Sequence, residues 1–262
     1  MVFAPRAKHN YRARLCPPDA HGSYSNLGGP PGSGCRLASR TSLIGKFFGG
    51  LGVLLVAVIA TGCAAPQFTY VSDSGAHAYF KVPFGWHRIS DVSLAAQFKN
   101  PGNALGKAVG TWDIAFDADQ VPAAVHLFSP KAKQPFAFAF VTPLSATASN
   151  TLRRSPYNGL RDVLLPVTSA SRAQAAQTSF PLTHFKLLRD IVLTPGQGVH
   201  GVWDTYNYTY PGGITDTFDQ VALTNSSSTQ LYVLMVHCIS TCYIHNRDQL
   251  ATIMSSITVR SP

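Results

Sequence analysis

Large apolar side chains recur at every second position in much of the chain. In segment 135–141 this spacing places Phe136, Phe138 and Phe140 on one face. Period-two spacing of large residues predicts half-buried strands. We predict such strands at 78–86, 111–116, 124–128, 135–141, 183–193, 201–210 and 216–223. In segment 183–193, the aligned residues are Phe185, Leu187, Ile191 and Leu193.

Two further features indicate how the strands are arranged. Segment 230–237 is apolar on both faces, which predicts a central strand covered on both sides. Segments 201–210 and 216–223 flank Pro-Gly-Gly at 211–213 and are predicted to form a hairpin across it.

Helical spacing occurs in three places. Segment 91–98 favours a short helix, and 158–177 an irregular helical region broken at Pro166. The last helix follows Asn246, a candidate cap with Gln249 closing a capping box. Its apolar stripe consists of Leu250, Ile253, Met254 and Ile257. This order of elements predicts an α+β fold in which helices sandwich an antiparallel sheet.

The first part of the chain resembles an export signal. Segment 1–35 is rich in Pro, Gly, Ser and Arg without apolar periodicity, which predicts a disordered leader. The apolar run 47–61 is shorter than the roughly 20 residues of a spanning helix. It ends at Ala60-Thr61-Gly62-Cys63, which resembles the bacterial lipobox, although family lipoboxes prefer Leu where Ala60 stands. In that family the cysteine receives diacylglycerol, with acyl chains such as palmitate, before cleavage.

We therefore expect three regions. Residues 1–62 are an N-terminal extension and lipoprotein signal peptide, 63–74 a tether beginning at lipidated Cys63, and 75–262 one folded domain. Two alternatives remain open. The run could be an uncleaved anchor helix, and the true start could lie near Leu37 or Leu43, because Arg36, Arg40 and Lys46 already form a basic n-region.

Charge gives little reason to expect a polyanionic partner. The net charge of +9 includes +6 in residues 1–62, so the remaining 200 residues carry only about +3. We expect no nucleic acid partner. All twelve acidic residues are aspartate, which excludes any mechanism requiring a glutamate.

The folded region contains two cysteines, Cys238 and Cys242. In an exported protein they favour a disulfide between the central strand and the last helix. His237 and His245 flank them, so a zinc site is the alternative. To coordinate, His237 would have to leave the strand, because it and Cys238 point to opposite faces.

Other motifs favour ordinary structure. Segment 196–201 reads G-x-G-x-x-G, but a strand rather than a helix follows it, so we predict a hairpin loop. No G-x-S-x-G elbow occurs in the folded region, and no serine is singled out as a nucleophile. We expect structural or surface roles for the histidines His87, His126, His184 and His200, for the acids Asp113 and Asp117, and for the aromatics Trp203, Tyr206, Tyr208 and Tyr210. The two acids could instead bind a cation, and the four aromatics a sugar or lipid.

The beginning and end of the folded region resemble the Mog1/PsbP-like fold, including actinobacterial PsbP-type lipoproteins. The opening Phe80-x-Val82-Pro83-x-Gly85-Trp86 carries this resemblance. So does the closing order of a strand with Tyr206, Tyr208 and Tyr210, an apolar strand, and a helix ending at Ser256-Ile257-Thr258-Val259. It implies a binding or assembly factor without a shared catalytic set.

The leading hypothesis is a non-enzymatic lipoprotein without a cofactor. It would be held to the extracytoplasmic face of the cell membrane by lipid on Cys63, and it would bind an envelope protein or small ligand. The alternatives are an extracytoplasmic hydrolase with an unrecognised nucleophile and a Cys/His metal-binding module.

Overall fold

The computed structural model describes residues 67–98, 110–130 and 132–260. Within them the strands are β1 (Phe68–Asp73), β2 (Ala78–Pro83), β3 (His87–Arg88), β4 (Trp112–Asp117), β5 (Phe136–Pro143), β6 (Thr183–Gly196), β7 (Val199–Thr209), β8 (Thr215–Thr224), β9 (Gln230–Ile239) and β10 (Thr258–Val259). The helices are α1 (Asp91–Phe98), α2 (Ala146–Arg154), α3 (Pro156–Arg161), α4 (Ser169–Ala175), α5 (Ser240–His245) and α6 (Arg247–Met254), with a 3₁₀ turn at Ala124–His126.

Seven strands form one antiparallel sheet in the order β3-β4-β5-β9-β8-β7-β6. Strand β9 lies in the middle and is buried from Leu231 to Cys238. This confirms the prediction of a central strand covered on both sides. The β7–β8 hairpin across 211–213 is also confirmed, with Thr209 paired to Thr215.

One face of the sheet packs against α1, the 3₁₀ turn and α2–α4. Phe136, Phe138 and Phe140 project from β5 into this core, as their spacing predicts. Leu94 of α1 and Leu160 of α3 are also buried there. Helix α1 spans the predicted residues, and the helical region breaks around Pro166 between α3 and α4.

The other face is covered by a small sheet, β1-β2-β10, together with α5 and α6. Leu250, Ile253 and Met254 of α6 are fully buried in this second core. The residues of β5 between the phenylalanines, Ala137 and Ala139, are buried here as well. The predicted α+β class is therefore confirmed, but the central strands are buried on both faces rather than half-buried.

The prediction of a tether at 63–74 is wrong in its second half. Residues Phe68–Asp73 form β1, which pairs along its whole length with β2. Val71 is buried within the second core, whereas Tyr70 is exposed. Strand β1 has only six residues and most of its side chains are polar, so its sequence resembles a linker.

Three local predictions are also corrected. Segment 124–128 contains a 3₁₀ turn instead of a strand. The capping box at α6 does not form, because the Asn246 amide donates instead to the carbonyl oxygen of Cys242, at 2.9 Å. The aligned face of β6 is broken by register shifts, so Phe185 packs in the first core and Leu193 in the second.

In the described ranges, no helix combines the length and apolar character needed to cross a membrane.

Candidate functional site

A cavity of about 400 Å³ lies between α4 and the start of β6. This volume falls in the usual range for small-molecule sites. Its apolar wall includes the rings of Phe180, Phe185 and Tyr208, and the methyl groups of Ala175 and Ala176. The arrangement can accommodate an apolar group against aromatic surface.

Two side chains give this cavity a polar rim. The guanidinium of Arg172 lies over the Phe185 ring, 4.1 Å from its centroid, and donates to the carbonyl of Val167. His184 has a φ of +49°, and its Nδ1 lies 2.9 Å from Oγ1 of Thr183. This left-handed residue interrupts the strand alternation, so Thr183, His184 and Phe185 all line the cavity. A cation beside aromatic rings suits a ligand with an anionic group on an apolar body.

A pair of carboxyl groups lies on the same face of the sheet. Asp190 of β6 is directly opposite Asp204 of β7, which is fully buried. Burial first, and then the neighbouring Asp190, raise the pKa of Asp204 to about 8. Among the described residues, no donor forms a hydrogen bond to either carboxylate oxygen of Asp204. The raised pKa favours the uncharged form of Asp204, which costs less to bury than a carboxylate.

Arg161 at the end of α3 holds the other carboxylate of this pair. Its Nη2 donates to Oδ1 of Asp190 at 2.9 Å, and its Nε lies 3.1 Å from both carboxylate oxygens. This bidentate contact pairs the carboxyl group of Asp190 with a guanidinium, whereas Asp204 has no cation in hydrogen-bond contact among the described residues. Gln220, opposite Asp204 on β8, donates to the carbonyl of Leu160 and ties the same helix to the sheet.

Asp216 and His237 form a second buried pair, with Oδ2 and Nδ1 2.9 Å apart. This contact resembles the one that orients a catalytic histidine. Here the imidazole is fully buried and stacked on Phe218 and Phe128, and its Nε2 has no hydrogen-bond partner in the part of the chain that the structure describes. A substrate could reach Nε2 only if the aromatic rings moved, so the geometry favours a structural role.

The sulfur atoms of Cys238 and Cys242 are bonded to each other, with their Cα atoms 6.0 Å apart. The bridge joins the end of β9 to α5. His237 lies on the opposite face of β9 and pairs with Asp216, so the structure does not assemble the zinc alternative. Across the described ranges, no group of three or more His, Cys and Asp side chains is placed to hold a metal ion.

We expect replacement of both cysteines by alanine to lower the free energy of unfolding by about 2 kcal/mol, because the closed loop is short. Urea titration of the oxidised protein and of the double variant measures this difference. Dithiothreitol should destabilise the native protein by the same amount and leave the variant unchanged. A variant that responded equally to dithiothreitol would contradict the bridge.

The glycine motif at 196–201 spans the end of β6, the turn at 197–198 and the start of β7, so it belongs to a hairpin, as predicted. Gly196 and Gly198 have positive φ angles of 105° and 74°, which the turn requires. Gly201 serves a different purpose, since a Cβ there would lie 2.1 Å from the carbonyl oxygen of Ala222. These glycines shape a hairpin and do not form a nucleotide site.

The remaining sequence candidates mostly take structural positions. Asp117 is buried and accepts from the backbone of Asp119 and Ala123, and its Oδ2 lies 2.7 Å from Nδ1 of His126. Tyr206 and Tyr208 are buried in the first core, which favours sheet packing over a sugar or lipid surface. His87 is exposed at the start of β3.

Sequence reasoning missed the buried acids Asp204, Asp216 and Asp219. A signal was present, since Asp204 shares the inward face of β7 with Val202 and Tyr206. An acid within an apolar face requires either a proton or a partner. Arg172 was missed because nothing in its helix shows that a strand 13 residues later supplies the aromatic wall.

Cys63, the predicted lipidation residue, lies outside the described residues, as do the signal segment and leader. Its modification remains a prediction.

No protein-family model matches the chain, and no curated protein matches it. Similar solved structures include PsbP of Synechocystis, at 14% identity and TM-score 0.44, covering 76% of this chain and 96% of that one. The Ran-binding protein Mog1p of Saccharomyces cerevisiae matches at 10% identity and TM-score 0.38, covering 73% of this chain and 95% of that one. LpqN of Mycobacterium tuberculosis matches at 14% identity and TM-score 0.39, covering 74% of this chain and 91% of that one. It is described as involved in cell envelope biogenesis. PsbP and Mog1, which the sequence resemblance names, are thus among the similar structures, at TM-scores that carry no argument about function.

Proposed function

We propose that the protein is a non-enzymatic, extracytoplasmic lipoprotein whose domain binds a small amphiphilic ligand in the cavity beside α4. The observation that carries the binding role is that cavity, where aromatic rings and the guanidinium of Arg172 converge. Ligand sites commonly combine an apolar wall with a few polar groups that fix orientation. The ligand class is an apolar body with one carboxylate, phosphate or sulfonate.

The lack of access to the buried polar pairs supports binding rather than catalysis. His237 and Asp204 are fully buried, so neither presents a reactive atom to solvent. A general base must reach the proton that it removes. The cavity itself contributes His184, which contacts Thr183 and no carboxylate partner in the described part of the chain.

The binding role can be tested with 8-anilinonaphthalene-1-sulfonate, which joins aromatic rings to an anion. We expect saturable fluorescence enhancement by the folded protein. Arg172→Gln should weaken binding about tenfold, equivalent to about 1.4 kcal/mol for loss of one partly desolvated ionic contact. Ala175→Trp, which fills the cavity, should abolish it.

Arg154→Gln is the matched control, because Arg154 is exposed on α2 and the substitution removes the same charge away from the cavity. Circular dichroism establishes that each variant is folded. Equal binding by the Arg172 variant, the Ala175 variant and the control would reject the cavity as the site.

The proposal of a lipid anchor is based on Cys63 and the small residues before it in the sequence. We expect the protein recovered from host membranes to begin at Cys63 and to carry acyl chains, with a matching gain in intact mass. Two or more chains hold a protein to a bilayer stably. Cys63→Ala should remain unprocessed and lack this added mass. An unmodified chain that retains residues before 63 would exclude the anchor while leaving the cavity test unaffected.

A further inference from the structure

The two ends of the seven-stranded sheet differ in the side chains they expose. At one end lie Gln67, the turn 84–86, the loop segments 118–130 and 132–135, the turn 210–214 and α5, and we name this the Gln67 end. Its parts are brought together by the antiparallel register, in which His87 pairs with Asp117, and Phe136 with both Asp117 and His237. The opposite end includes the turns 196–198 and 225–229.

Five exposed large apolar side chains lie at the Gln67 end. They are Phe84 (61% exposed), Val121 (76%), Val125 (54%), Ile214 (43%) and Ile244 (72%). The described turns of the opposite end expose no large apolar residue and read Gly-Gln-Gly and Asn-Ser-Ser-Ser-Thr. The other exposed large apolar side chains lie along β1, α1 and the β6 edge. Contact of these apolar side chains with water is unfavourable, and such exposed groups commonly mark a surface that contacts a membrane or another protein.

The chain also enters the domain at the apolar end. The backbone N–H of Phe84 donates to the carbonyl oxygen of Gln67 at 3.0 Å. Cys63 precedes Gln67 by four residues, which span at most about 14 Å when fully extended. A lipid on Cys63 would therefore hold Gln67 within that distance of the lipidated residue, and Phe84 is the hydrogen-bonded neighbour of Gln67.

We infer that the Gln67 end rests on the lipid bilayer, with Phe84 and the neighbouring exposed aliphatic side chains inserted at the headgroup boundary. This inference depends on the proposed anchor at Cys63. Large apolar side chains at the interface are driven into lipid by burial of their surface. The cavity residues Thr183 and His184 begin β6 at this same end, since Thr183 pairs with Thr209 next to the 210–214 turn. The orientation brings the cavity to the lipid surface.

Native tryptophans at the two ends provide the test. Trp86 lies in the turn after Phe84, whereas Trp112 starts β4 at the opposite end and pairs with Val141. The acylated full-length mature protein is placed in phosphatidylcholine vesicles whose acyl chains are brominated near the headgroup. We expect quenching of its fluorescence. Trp86→Phe should remove most of the quenched component, and the matched variant Trp112→Phe should retain it.

A third variant tests the apolar contact itself. Phe84→Asp keeps the native tryptophans and the anchor, and should reduce the quenching of Trp86 at least twofold. Quenching that is unchanged in Trp86→Phe, or that disappears in Trp112→Phe, would overturn the inference. Mass analysis separates the two proposals. If Cys63 is acylated but the quenching does not depend on Trp86, the proposed orientation is wrong and the anchor stands. If Cys63 is unmodified, the proposed anchor is wrong as well.

Discussion

Replacing Asp219 by alanine should lower the free energy of unfolding by about 3–5 kcal/mol, because it removes the shared acceptor of three donors, two of them on buried side chains. Its Oδ1 accepts from Trp203 Nε1 at 2.6 Å and from Thr205 Oγ1 at 2.9 Å. Its Oδ2 accepts from the Tyr243 hydroxyl at 2.7 Å. Burial raises the pKa of Asp219, and the three donors oppose that rise. Urea denaturation at neutral pH measures the loss.

A graded series identifies the hydrogen bonds as the cause. Tyr243→Phe removes one donor together with its hydroxyl and should cost about 1 kcal/mol. Asp219→Asn keeps one acceptor oxygen and should fall between that variant and Asp219→Ala. If all three substitutions cost the same, the stabilisation would come from packing of α5 and not from the shared acceptor.

Asp204→Asn should make the protein more stable than the native form at alkaline pH. The pKa of Asp204 is about 8 in the folded protein against an ordinary value of 3.8, so the folded state binds more protons between these values. Stability therefore falls as pH rises from about 4 to 8. Asparagine retains a donor toward Asp190 and cannot ionise. The gain at pH 9 should be on the order of a few kcal/mol, since one unit of pKa corresponds to about 1.4 kcal/mol.

The measurement is the free energy of unfolding of both proteins between pH 4 and 9. The curves should lie closest near pH 4–5 and separate as pH rises. Asp119→Asn is the control, because this acid is only partly buried and asparagine can still accept from the backbone of Val121. A parallel offset at every pH would mean that Asp204 is ionised in the folded protein throughout.

Periodicity predicted the elements whose burial follows a regular pattern. Phe136, Phe138 and Phe140 identified β5, and the unbroken apolar run of β9 identified the centre of the sheet. It could not identify α2, a helix rich in Ser and Thr that begins with the side chain of Ser145 accepting from the N–H of Ala148. Local spacing also fails for β6, where register shifts move Phe185 and Leu193 into different cores.

The site was less predictable because its residues come from distant segments. Arg172 and Phe185 meet only after α4 folds back on the sheet, and Asp190 meets Asp204 only through the β6–β7 register. The cysteine pair was accessible to prediction, since four residues of separation restrict what Cys238 and Cys242 can do. The charge pattern alone could not show that Asp204 is protonated, because that depends on burial.

The small sheet imposes an order on folding. Strand β2 receives its second neighbour only from β10, with Thr258 opposite Tyr79, and the N–H of Lys81 donates to Oγ of Ser256 across 175 residues. The N–H of Arg260 likewise donates to the carbonyl of His77. During synthesis, the first strands must wait for the segment 256–260 to emerge before their edge is closed. A chain that crosses a membrane unfolded would complete this sheet only after the segment 256–260 has crossed.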